Sequence, residues 1–415
     1  LITMVQALDA DVLPGTLHLD SPTPNVDWSR GAVRVRSAAE PWPETGRPRR
    51  AAVSAFGISG TNAHVVIEQG DPPDTADPGR VPAPGAVAWP LSAPDTAGLR
   101  TAAADLAAWL QDHPHAAPAE VAATLAVRPA GTHRSVVVVD DLPGGLAALR
   151  AFAAEGHDPS VVTGTAASGR TVFVLPGQGS QWPGMARELL AGEPAFAEHL
   201  HECARHLDDL GGPPLLPLVT DPDADLTDSA LVQPALFAVC TGLAQVWRAH
   251  GVHPDSVVGH SQGEVGAAWV AGALPLAEAL RVVVARSRAL AGITGSGAML
   301  ATMLSESELT ARIAEFGGGL DVAVVNGPHT TVAAGDADRL AAFAEWLDDA
   351  GVRVRPVAVD YASHSAHVDR IEEPLRAGLA GVRPVDGEIA FYSTVRGARI
   401  GTAELDTDYW YGNLR

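Results

Sequence analysis

The chain has 415 residues, more than one ordinary hydrophobic core accommodates, so two or three domains are expected. Apolar residues make up 47% and charged residues 19%, a balance that is typical of globular proteins and excludes wholesale disorder. The formal net charge of −21 argues against nucleic acid or an anionic membrane as the main partner.

The cysteines and the termini bear on the cellular setting. The two cysteines, Cys203 and Cys240, lie in alanine- and leucine-rich helical sequence, which favours buried side chains over a disulfide or a nucleophile. There is no signal peptide and no apolar run of roughly 18 residues, so a cytoplasmic protein is expected. Because the chain starts at Leu1 without methionine and stops at Arg415 just after an aromatic cluster, we expect a piece of a longer protein.

The first 165 residues divide into three stretches. Residues 1–69 are rich in turns and end in a glycine-broken loop that leads into a predicted buried strand at 62–67. Residues 70–89 are dominated by proline, aspartate and glycine, which predicts a linker. Residues 90–165 predict a small α/β unit with helices at 95–110, 119–126 and 146–154 and a strand at 135–139.

A second pattern begins at Arg170, where short apolar strands alternate with helices. A predicted buried strand at 171–175 ends in a glycine-rich turn at 176–180. The elements predicted after it are helix 234–249, strand 256–258, helix 264–271 and helix 275–291. Alternation of this kind predicts a mainly parallel sheet.

The rhythm changes between about residues 297 and 360. The predicted elements are strand 298–303, helix 305–316, strand 321–325, strand 330–334, helix 336–350 and strand 352–359. This βαββαβ order is the ferredoxin-like arrangement, here predicted as a subdomain inserted beside the main sheet.

The turn from Gly259 to Gly263 has the sequence Gly-His-Ser-Gln-Gly and lies between a predicted strand and a predicted helix. A serine hydroxyl is a poor nucleophile unless it is exposed, near a base and near donors for an oxyanion. Glycines at both ends allow a sharp turn that projects Ser261, and the helix start aims the Gln262 N–H at developing negative charge. The alternative is an ordinary strand–turn–helix junction with an unimportant serine.

Two further side chains fit a site around Ser261. His364 directly follows the last strand of the predicted inserted subdomain, which returns the chain to the main domain, although a solvent-exposed loop histidine is the alternative. His260 is a rival base, but its side chain is expected to point away at the turn. Arg286 shares the apolar face of its helix with Val282 and Leu290, so it needs a buried anion, either an internal carboxylate or a substrate.

These motifs together resemble the acyltransferase domain of a type I modular polyketide synthase, a family related to malonyl-CoA:acyl carrier protein transacylases. The residues that carry the resemblance are Phe173–Trp182, Gly259–Glu264, Arg286–Leu290, Asn326–Pro328 and Tyr361–Ser365. The resemblance covers about residues 165–415 and implies an α/β-hydrolase-like parallel-sheet domain at 166–415 with the ferredoxin-like subdomain inserted at about 297–360.

The resemblance also assigns roles to residues. It implies that Ser261 is the acylated nucleophile, that His364 is the general base and that Arg286 grips the free carboxylate of a malonyl-type unit. The backbone N–H groups of Gln178 and Gln262 would form the oxyanion hole. Asn326 would lie near the site in a less defined role.

The same family implies partners and neighbouring domains. Residues 1–69 resemble the C-terminal tail of a ketosynthase, in which His64 is not catalytic, and residues 90–165 resemble the ketosynthase-to-acyltransferase linker domain. The substrate would be an acyl-CoA and the acceptor the phosphopantetheine thiol of an acyl carrier protein domain in the larger synthase. No metal or bound cofactor is expected. In the family the chain continues beyond the position of Arg415, and a main-chain carbonyl from that segment orients the histidine, so a C-terminally truncated domain is expected.

Substrate selectivity follows from three stretches. Gln262 after the serine, and Tyr361 and Ser363 in the sequence Tyr-Ala-Ser-His, resemble methylmalonyl-selective domains, whereas malonyl-selective relatives more often have a branched apolar residue and His-Ala-Phe-His. A small Ser363 leaves room for an α-methyl group. The stretch 228–232 departs from the methylmalonyl pattern, so a malonyl-selective enzyme remains an alternative.

Two other functions remain open from the sequence. An α/β-hydrolase or thioesterase could use the same serine turn, although the inward Arg286 and the absence of a convincing acidic partner for His364 argue against it. A non-catalytic scaffold piece is the other alternative, because residues 1–165 carry no catalytic set of their own.

Overall fold

The structure, a computed structural model, describes residues 1–31, 33–70, 85–359 and 361–415. The chain divides into two compact units, Leu1–Pro82 and Ala83–Arg415. Most of the linker predicted at 70–89 lies outside the described residues.

The N-terminal unit is small and open. Its elements are α1 (Ile2–Asp9), β1 (Val12–Leu13), β2 (Glu40–Pro41), β3 (Arg50–Phe56) and β4 (Asn62–Glu68). The strands pair antiparallel as β1–β2 and β3–β4. The expectation of a buried strand here is wrong: β4 forms, but Val65 and Val66 are exposed. Within the described part of this unit a two-stranded hairpin has no further layer to cover both of its faces.

The second unit begins with a small α/β layer pair. Its elements are β5 (Val87–Ala93), α2 (Thr96–Asp112), α3 (Pro118–Ala126), β6 (His133–Val139), α4 (Leu142–Glu155) and β7 (Val161–Thr165). The three strands form an antiparallel sheet in the order β5-β6-β7. Asp95 and Asp141 cap α2 and α4 by accepting backbone N–H groups, and Trp89 is fully buried in the core. The three predicted helices and the predicted strand are all present, whereas β5 and β7 were not predicted. Strand β5 begins at Val87, inside the stretch predicted as a linker.

The next segment contains the first half of the main domain. Its elements are β8 (Val172–Leu175), α5 (Arg187–Gly192), α6 (Pro194–Asp209), α7 (Leu215–Thr220), α8 (Ser229–Ala249), β9 (Ser256–Gly259), α9 (Gly263–Val270) and α10 (Leu276–Leu290). Helix α8 is long and apolar enough to cross a bilayer, but 67% of its most apolar window is buried inside the fold. That burial is what a core helix of a globular domain shows.

A separate four-stranded sheet follows α10. Its elements are β10 (Ala298–Thr302), α11 (Glu306–Glu315), β11 (Leu320–Gly327), β12 (Thr330–Gly335), α12 (Ala337–Asp349) and β13 (Val354–Pro356). The strands are antiparallel in the order β11-β12-β10-β13. The predicted order of strands and helices is present, with bounds that differ by at most a few residues. We call residues 298–356 the small subdomain.

The chain then returns to the main sheet. The remaining elements are a 3₁₀ turn (Ala366–Ile371), α13 (Glu372–Leu379), β14 (Ala390–Ser393), β15 (Ala398–Ile400) and α14 (Thr407–Leu414). The main sheet has the order β15-β14-β9-β8, in which β8, β9 and β14 are parallel. This agrees with the predicted mainly parallel sheet.

Strand β8 lies at the edge of the main sheet, and its predicted burial is wrong. Leu175 is buried, but Val172 is 49% and Val174 is 70% exposed. Both valines are on the same face of the strand, and both line a groove along it. The sequence predicted the strand correctly because its residues are apolar, but apolar residues do not reveal whether a sheet edge is covered.

Candidate active site

The turn that carries Ser261 can be built only with glycine at its two ends. A Cβ atom on Gly259 would lie 2.2 Å from the Glu264 nitrogen, and a Cβ atom on Gly263 would lie 2.3 Å from the Leu175 carbonyl oxygen. Strand β9 and helix α9 therefore pack closer here than any side chain allows. Ser261 itself has φ 52°, a left-handed conformation that is strained for a residue with a side chain. The strain projects the hydroxyl out of the turn.

Three predicted residues meet at this hydroxyl, although they come from separate parts of the chain. The Ser261 Oγ lies 2.9 Å from the His364 Nε2. The Arg286 Nη2 donates to the same Oγ at 2.9 Å. The arrangement gives the hydroxyl a hydrogen-bonded base on one side and a fixed positive charge on the other.

His364 lies just beyond the small subdomain, and it is held by α14. Its backbone N–H donates to the Leu414 oxygen at 3.0 Å, and its φ of 57° is also left-handed. Burial, together with the charge of Arg286 and the neighbouring His260, lowers the pKa of His364 to about 3, and only the carbonyl oxygens of Asn413 and Leu414 act in the opposite direction. The ring is therefore neutral at physiological pH and able to accept the serine proton.

The orienting carbonyls correct one expectation. A main-chain carbonyl was expected from beyond Arg415, but the carbonyls that contact His364 belong to Asn413 and Leu414, on α14. The described chain therefore contains main-chain carbonyls that contact His364.

Arg286 lies on the inward face of α10 and is only 3% exposed. Its Nη1 donates to the Asn413 Oδ1, whereas its Nε is buried with no hydrogen-bond partner among the described residues. No carboxylate of the described chain forms a salt bridge with it, so the internal ion pair considered from the sequence is absent there. Burial lowers the pKa of Arg286 to about 10, against the opposing influence of Tyr361 and Glu264, so it stays protonated.

The two glutamines predicted for an oxyanion hole flank the serine. Gln178 follows β8 and Gln262 begins α9, and both line the cavity in front of Ser261. In the described residues neither backbone N–H has a hydrogen-bond partner. The Tyr361 hydroxyl donates to the Gln178 Oε1 at 2.7 Å and so fixes the turn that carries one of these N–H groups.

The cavity in front of Ser261 has a volume of about 230 Å³ and lies between the serine turn and the small subdomain. The wall on the small-subdomain side is mostly apolar: Met299, Ala301, Val324, Val332, Val357 and Val359. Ser363 is buried on the same side, and its Oγ donates to the Met299 Sδ at 3.3 Å. A larger groove of about 670 Å³ runs along β8, but none of the predicted site residues lines it. The smaller cavity is therefore the candidate active site.

His260 and Asn326 form a contact across the mouth of this cavity. The His260 Nε2 lies 2.8 Å from the Asn326 Oδ1, and both residues line the cavity. His260 was expected to point away from the site, which is wrong, because the tight approach of Gly177 directs its ring along the turn to the small subdomain. It does not contact the Ser261 hydroxyl, so His364 is the histidine that the geometry pairs with the serine.

The sequence reasoning missed several residues of the site. Gln233 on α8 and Met299 on β10 line the cavity. Asn413 accepts a hydrogen bond from Arg286 and donates one to Glu264. The available signals were weak: a glutamine before a helical proline, and an asparagine after an aromatic cluster.

The chain is similar to known protein families and solved structures over most of its length. Residues 172–415 match the family described as "Acyl transferase domain", and residues 22–138 match "Ketoacyl-synthetase C-terminal extension". The acyltransferase domain from module 8 of the salinomycin polyketide synthase is 42% identical, with a TM-score of 0.76, and the match covers 80% of this chain and 79% of that one. The acyltransferase domain of SpnD in complex with 2-(pent-4-yn-1-yl)malonyl is 29% identical, with a TM-score of 0.72, covering 80% and 78%.

The curated relatives are much longer than this chain. Polyketide synthase GfsB of Streptomyces halstedii is 49% identical over 100% of the chain, which spans 8% of that protein. Mycoketide-CoA synthase of Mycobacterium tuberculosis is 45% identical over 100% of the chain, which spans 10% of it. Erythronolide synthase EryA3 of Saccharopolyspora erythraea is 43% identical over 99% of the chain, which spans 13% of it. The chain therefore belongs to the acyltransferase family of modular polyketide synthases, with its acyl transferase domain over residues 172–415.

Proposed function

We propose that this acyltransferase loads a methylmalonyl extender unit from its CoA thioester onto the phosphopantetheine thiol of an acyl carrier protein, through an acyl ester of Ser261. The observation that carries the proposal is the pair of 2.9 Å contacts at the Ser261 Oγ, one to the His364 Nε2 and one from the Arg286 Nη2. A base and a carboxylate-binding cation at one nucleophile suit a substrate that has both a thioester and a free carboxylate.

In the first half-reaction the Ser261 Oγ attacks the thioester carbon while its proton passes to the His364 Nε2. The carbonyl oxygen becomes an oxyanion, and the unpartnered N–H groups of Gln178 and Gln262 are the donors for it. When the intermediate collapses, the carbon–sulfur bond breaks and the CoA thiolate takes the proton from His364. The products are free CoA and acyl-Ser261.

The second half-reaction reverses these steps with a different thiol. His364 accepts the proton of the phosphopantetheine thiol, the sulfur attacks the ester carbonyl, and the serine oxygen leaves with the proton returned by His364. Water is the competing nucleophile. A cavity of about 230 Å³ with a mostly apolar wall disfavours an ordered attacking water, which supports transfer over hydrolysis.

Arg286 is proposed to bind the free carboxylate of the extender unit. Its Nη1 is occupied by Asn413, so the edge formed by Nε and Nη2 is the one available to a carboxylate. A two-pronged contact on that edge would satisfy the buried Nε and draw the guanidinium away from the serine. The carboxylate would also offset the positive charge that helps to lower the pKa of His364, so the base would become stronger once the substrate is bound.

Methylmalonyl selectivity is proposed from the cavity wall around Ser363. Ser363 is buried beside Met299, and an α-methyl group at this position would contact apolar side chains. A phenylalanine in place of Ser363 would fill that space. One methyl group contributes only ~1–3 kcal/mol of discrimination, so a malonyl-selective enzyme is the alternative that the test must separate.

The stretch 228–232, which departs from the methylmalonyl pattern, does not touch this wall. Asp228 caps α8 by accepting the Ala230 N–H, and none of the five residues lines the cavity. The next residue, Gln233, is the first of α8 to reach the cavity. The departure therefore carries little weight against a methylmalonyl unit.

We also propose the domain organisation that the sequence predicted. Residues 1–69 would be the end of a ketosynthase, residues 90–165 the linker domain, and residues 166–415 the acyltransferase domain. The α/β-hydrolase-like and ferredoxin-like names are proposed for the main sheet and the small subdomain, on the strength of their strand orders. The acyl carrier protein and the remainder of a cytoplasmic synthase are the proposed partners.

The first experiment tests the covalent intermediate and the acyl preference. The chain is incubated with an equal mixture of malonyl-CoA and methylmalonyl-CoA, and the acylated peptide is identified by mass spectrometry. We expect a methylmalonyl ester on Ser261, and no ester in the Ser261→Ala variant. A label that survives Ser261→Ala would overturn the mechanism, and a predominant malonyl ester would overturn the selectivity alone.

The second experiment tests the carboxylate contact with a matched pair of variants on one helix. Arg286→Ala should lower kcat/KM for methylmalonyl-CoA by at least about 100-fold relative to propionyl-CoA, as expected for loss of a charge-assisted bidentate contact of roughly 3 kcal/mol. Arg288→Ala is the control, because its guanidinium faces away and donates to the Leu210 and Gly211 carbonyls. Equal losses for both substrates in Arg286→Ala would refute the contact.

A further inference from the structure

Glu264, five residues after the start of the serine turn, is completely buried and belongs to no salt bridge in the described chain. Its carboxylate is instead surrounded by donors. One oxygen accepts the backbone N–H and the hydroxyl of Thr394, the latter at 2.8 Å. The other accepts the Tyr409 hydroxyl at 2.7 Å and the Asn413 Nδ2 at 2.8 Å. A buried charge that is satisfied this fully is held in one orientation.

The Asn413 amide has its orientation fixed by its three neighbours. Its Nδ2 faces the Glu264 Oε2 at 2.8 Å and the Ser261 carbonyl oxygen at 3.1 Å, both of which only accept hydrogen bonds. Its Oδ1 faces the Arg286 Nη1, which only donates. A rotated amide would place donor against donor and acceptor against acceptor at all three contacts. Glu264 therefore determines which atom Asn413 presents to Arg286.

This orientation decides which edge of the guanidinium is free. With the Asn413 oxygen on Nη1, the Nη2 points to the Ser261 Oγ at 2.9 Å and the Nε is left buried without a partner. An amide nitrogen in the same place would repel Nη1 and turn the guanidinium out of this position. The contact also leaves the positive charge uncompensated by any directly bound carboxylate among the described residues.

We propose that Glu264 and Asn413 are positioning residues that set the free edge of Arg286 against Ser261, and so make the enzyme prefer acyl units that carry a carboxylate. The proposal rests on the carboxylate contact proposed above for Arg286. Glu264 acts through Asn413, and neither residue lines the cavity that receives the acyl group. Their effect is therefore on substrate preference through Arg286.

The central variant is Glu264→Gln, which keeps the volume and removes the charge. Its amide must place an NH₂ group either against the Thr394 N–H or against the Asn413 Nδ2, which is a donor-against-donor contact in both cases. Asn413→Asp tests the relay from the other side, because an aspartate would pair with Arg286 and compete with the substrate carboxylate. Tyr409→Phe is the matched control: it removes a hydrogen bond to the same carboxylate without touching Asn413 or Arg286.

The readout is the ratio of kcat/KM for methylmalonyl-CoA to that for propionyl-CoA, measured as acyl-Ser261 formation for each variant of the chain. We expect the ratio to fall at least tenfold in Glu264→Gln and in Asn413→Asp, and to stay within about twofold of the wild type in Tyr409→Phe. Urea denaturation measures the stability of each variant. A general loss of structure would lower kcat/KM for both substrates equally and would leave the ratio unchanged.

The outcomes separate the two proposals. If Arg286→Ala changes the ratio but Glu264→Gln and Asn413→Asp do not, the relay is refuted and the carboxylate contact stands. If Tyr409→Phe changes the ratio as much as Glu264→Gln, the effect is a general one of the buried cluster and the positioning role is refuted. If Arg286→Ala leaves the ratio unchanged, the carboxylate contact fails, and the relay that rests on it fails too.

Discussion

Acidification should destabilise this protein through two buried histidines, His364 and His199. Burial, Arg286 and His260 together lower the pKa of His364 to about 3, whereas an unfolded histidine titrates near 6.5. Because the folded pKa is the lower one, the unfolded state binds the proton more readily. The stability that the neutral imidazole contributes is therefore fully present above about pH 6.5 and is lost progressively as the pH falls towards 3.

The stability that His364 loses by pH 5 depends only on its pKa in the unfolded state, since the folded ring is still neutral at that pH. Each pH unit below about 6.5 corresponds to ~1.4 kcal/mol, so His364 should account for about 2 kcal/mol of lost stability at pH 5. A second buried histidine behaves in the same way. Burial lowers the pKa of His199 to about 4, and its Nε2 contacts the Thr241 hydroxyl at 2.7 Å in the core. It should account for a similar loss at pH 5.

The assay is urea denaturation at pH 7 and pH 5, followed by tryptophan fluorescence. The wild type is compared with His364→Asn and His199→Asn. For each protein the change in unfolding free energy between pH 7 and pH 5 is used, so that any destabilisation by the substitution itself cancels. We expect the loss of unfolding free energy on acidification to shrink by about 2 kcal/mol in each single variant. The two effects should add in the double variant, because the sites share no contact.

Catalysis gives an independent check on the same pKa. The pH dependence of kcat/KM reports ionisations of the free enzyme. Since His364 remains neutral, kcat/KM for Ser261 acylation should not fall between pH 8 and pH 5. An acid limb with a midpoint between pH 6 and pH 7 would refute the lowered pKa. So would a His364→Asn variant whose stability retains the full pH dependence of the wild type. His199→Asn should change the stability curve without moving the acylation profile, because it lies away from Ser261.

Three further predictions concern the turn and the oxyanion donors. Ser261→Gly should be more stable than Ser261→Ala by about 1 kcal/mol in urea denaturation, because φ is 52° there; equal stabilities would mean that the turn is not strained. Gly263→Ala should lower the free energy of unfolding by more than about 3 kcal/mol and abolish acylation, since its Cβ would lie 2.3 Å from a backbone oxygen. Gly412→Ala is the control: it has open space around it in α14, so it should be neutral or stabilise the fold by up to ~1 kcal/mol. Tyr361→Phe should lower kcat for acylation roughly tenfold by releasing Gln178, and an unchanged kcat would show that this hydrogen bond does not support the oxyanion donors.

Much of the fold could be predicted because its local patterns are strong. The small subdomain alternates clearly between apolar strands and amphipathic helices, and each predicted element was found within a few residues of its observed bounds. The region from Glu372 to Leu414 was not predicted, since β14 and β15 are only a few residues long and give little periodicity. Burial was wrong for β4 and β8, because a strand's own residues do not record whether another layer covers it.

The candidate site also contains residues that a local motif identifies and residues that only the tertiary structure identifies. Ser261, His364 and Arg286 could be nominated because each lies in a distinctive local motif, and the structure brings all three within hydrogen-bond distance. Glu264 and Asn413 could not, because their contact joins residues 149 positions apart and depends on how α14 packs against the serine turn. A local motif identifies the side chains proposed to react, whereas the residues that orient them come from distant parts of the chain.

The hydrogen bond between Tyr361 and Gln178 has a consequence for any attempt to change which extender unit the enzyme accepts. Tyr361 belongs to the four-residue motif that also contains Ser363, which lines the proposed acyl cavity, and its hydroxyl donates to the turn that carries a proposed oxyanion donor. Exchanging the whole motif for that of another enzyme would therefore change the size of the cavity and at the same time remove the hydrogen bond that fixes the proposed oxyanion donor at Gln178. Redesigned enzymes of this kind should gain a new substrate and turn over slowly, unless position 361 keeps a hydroxyl that reaches Gln178.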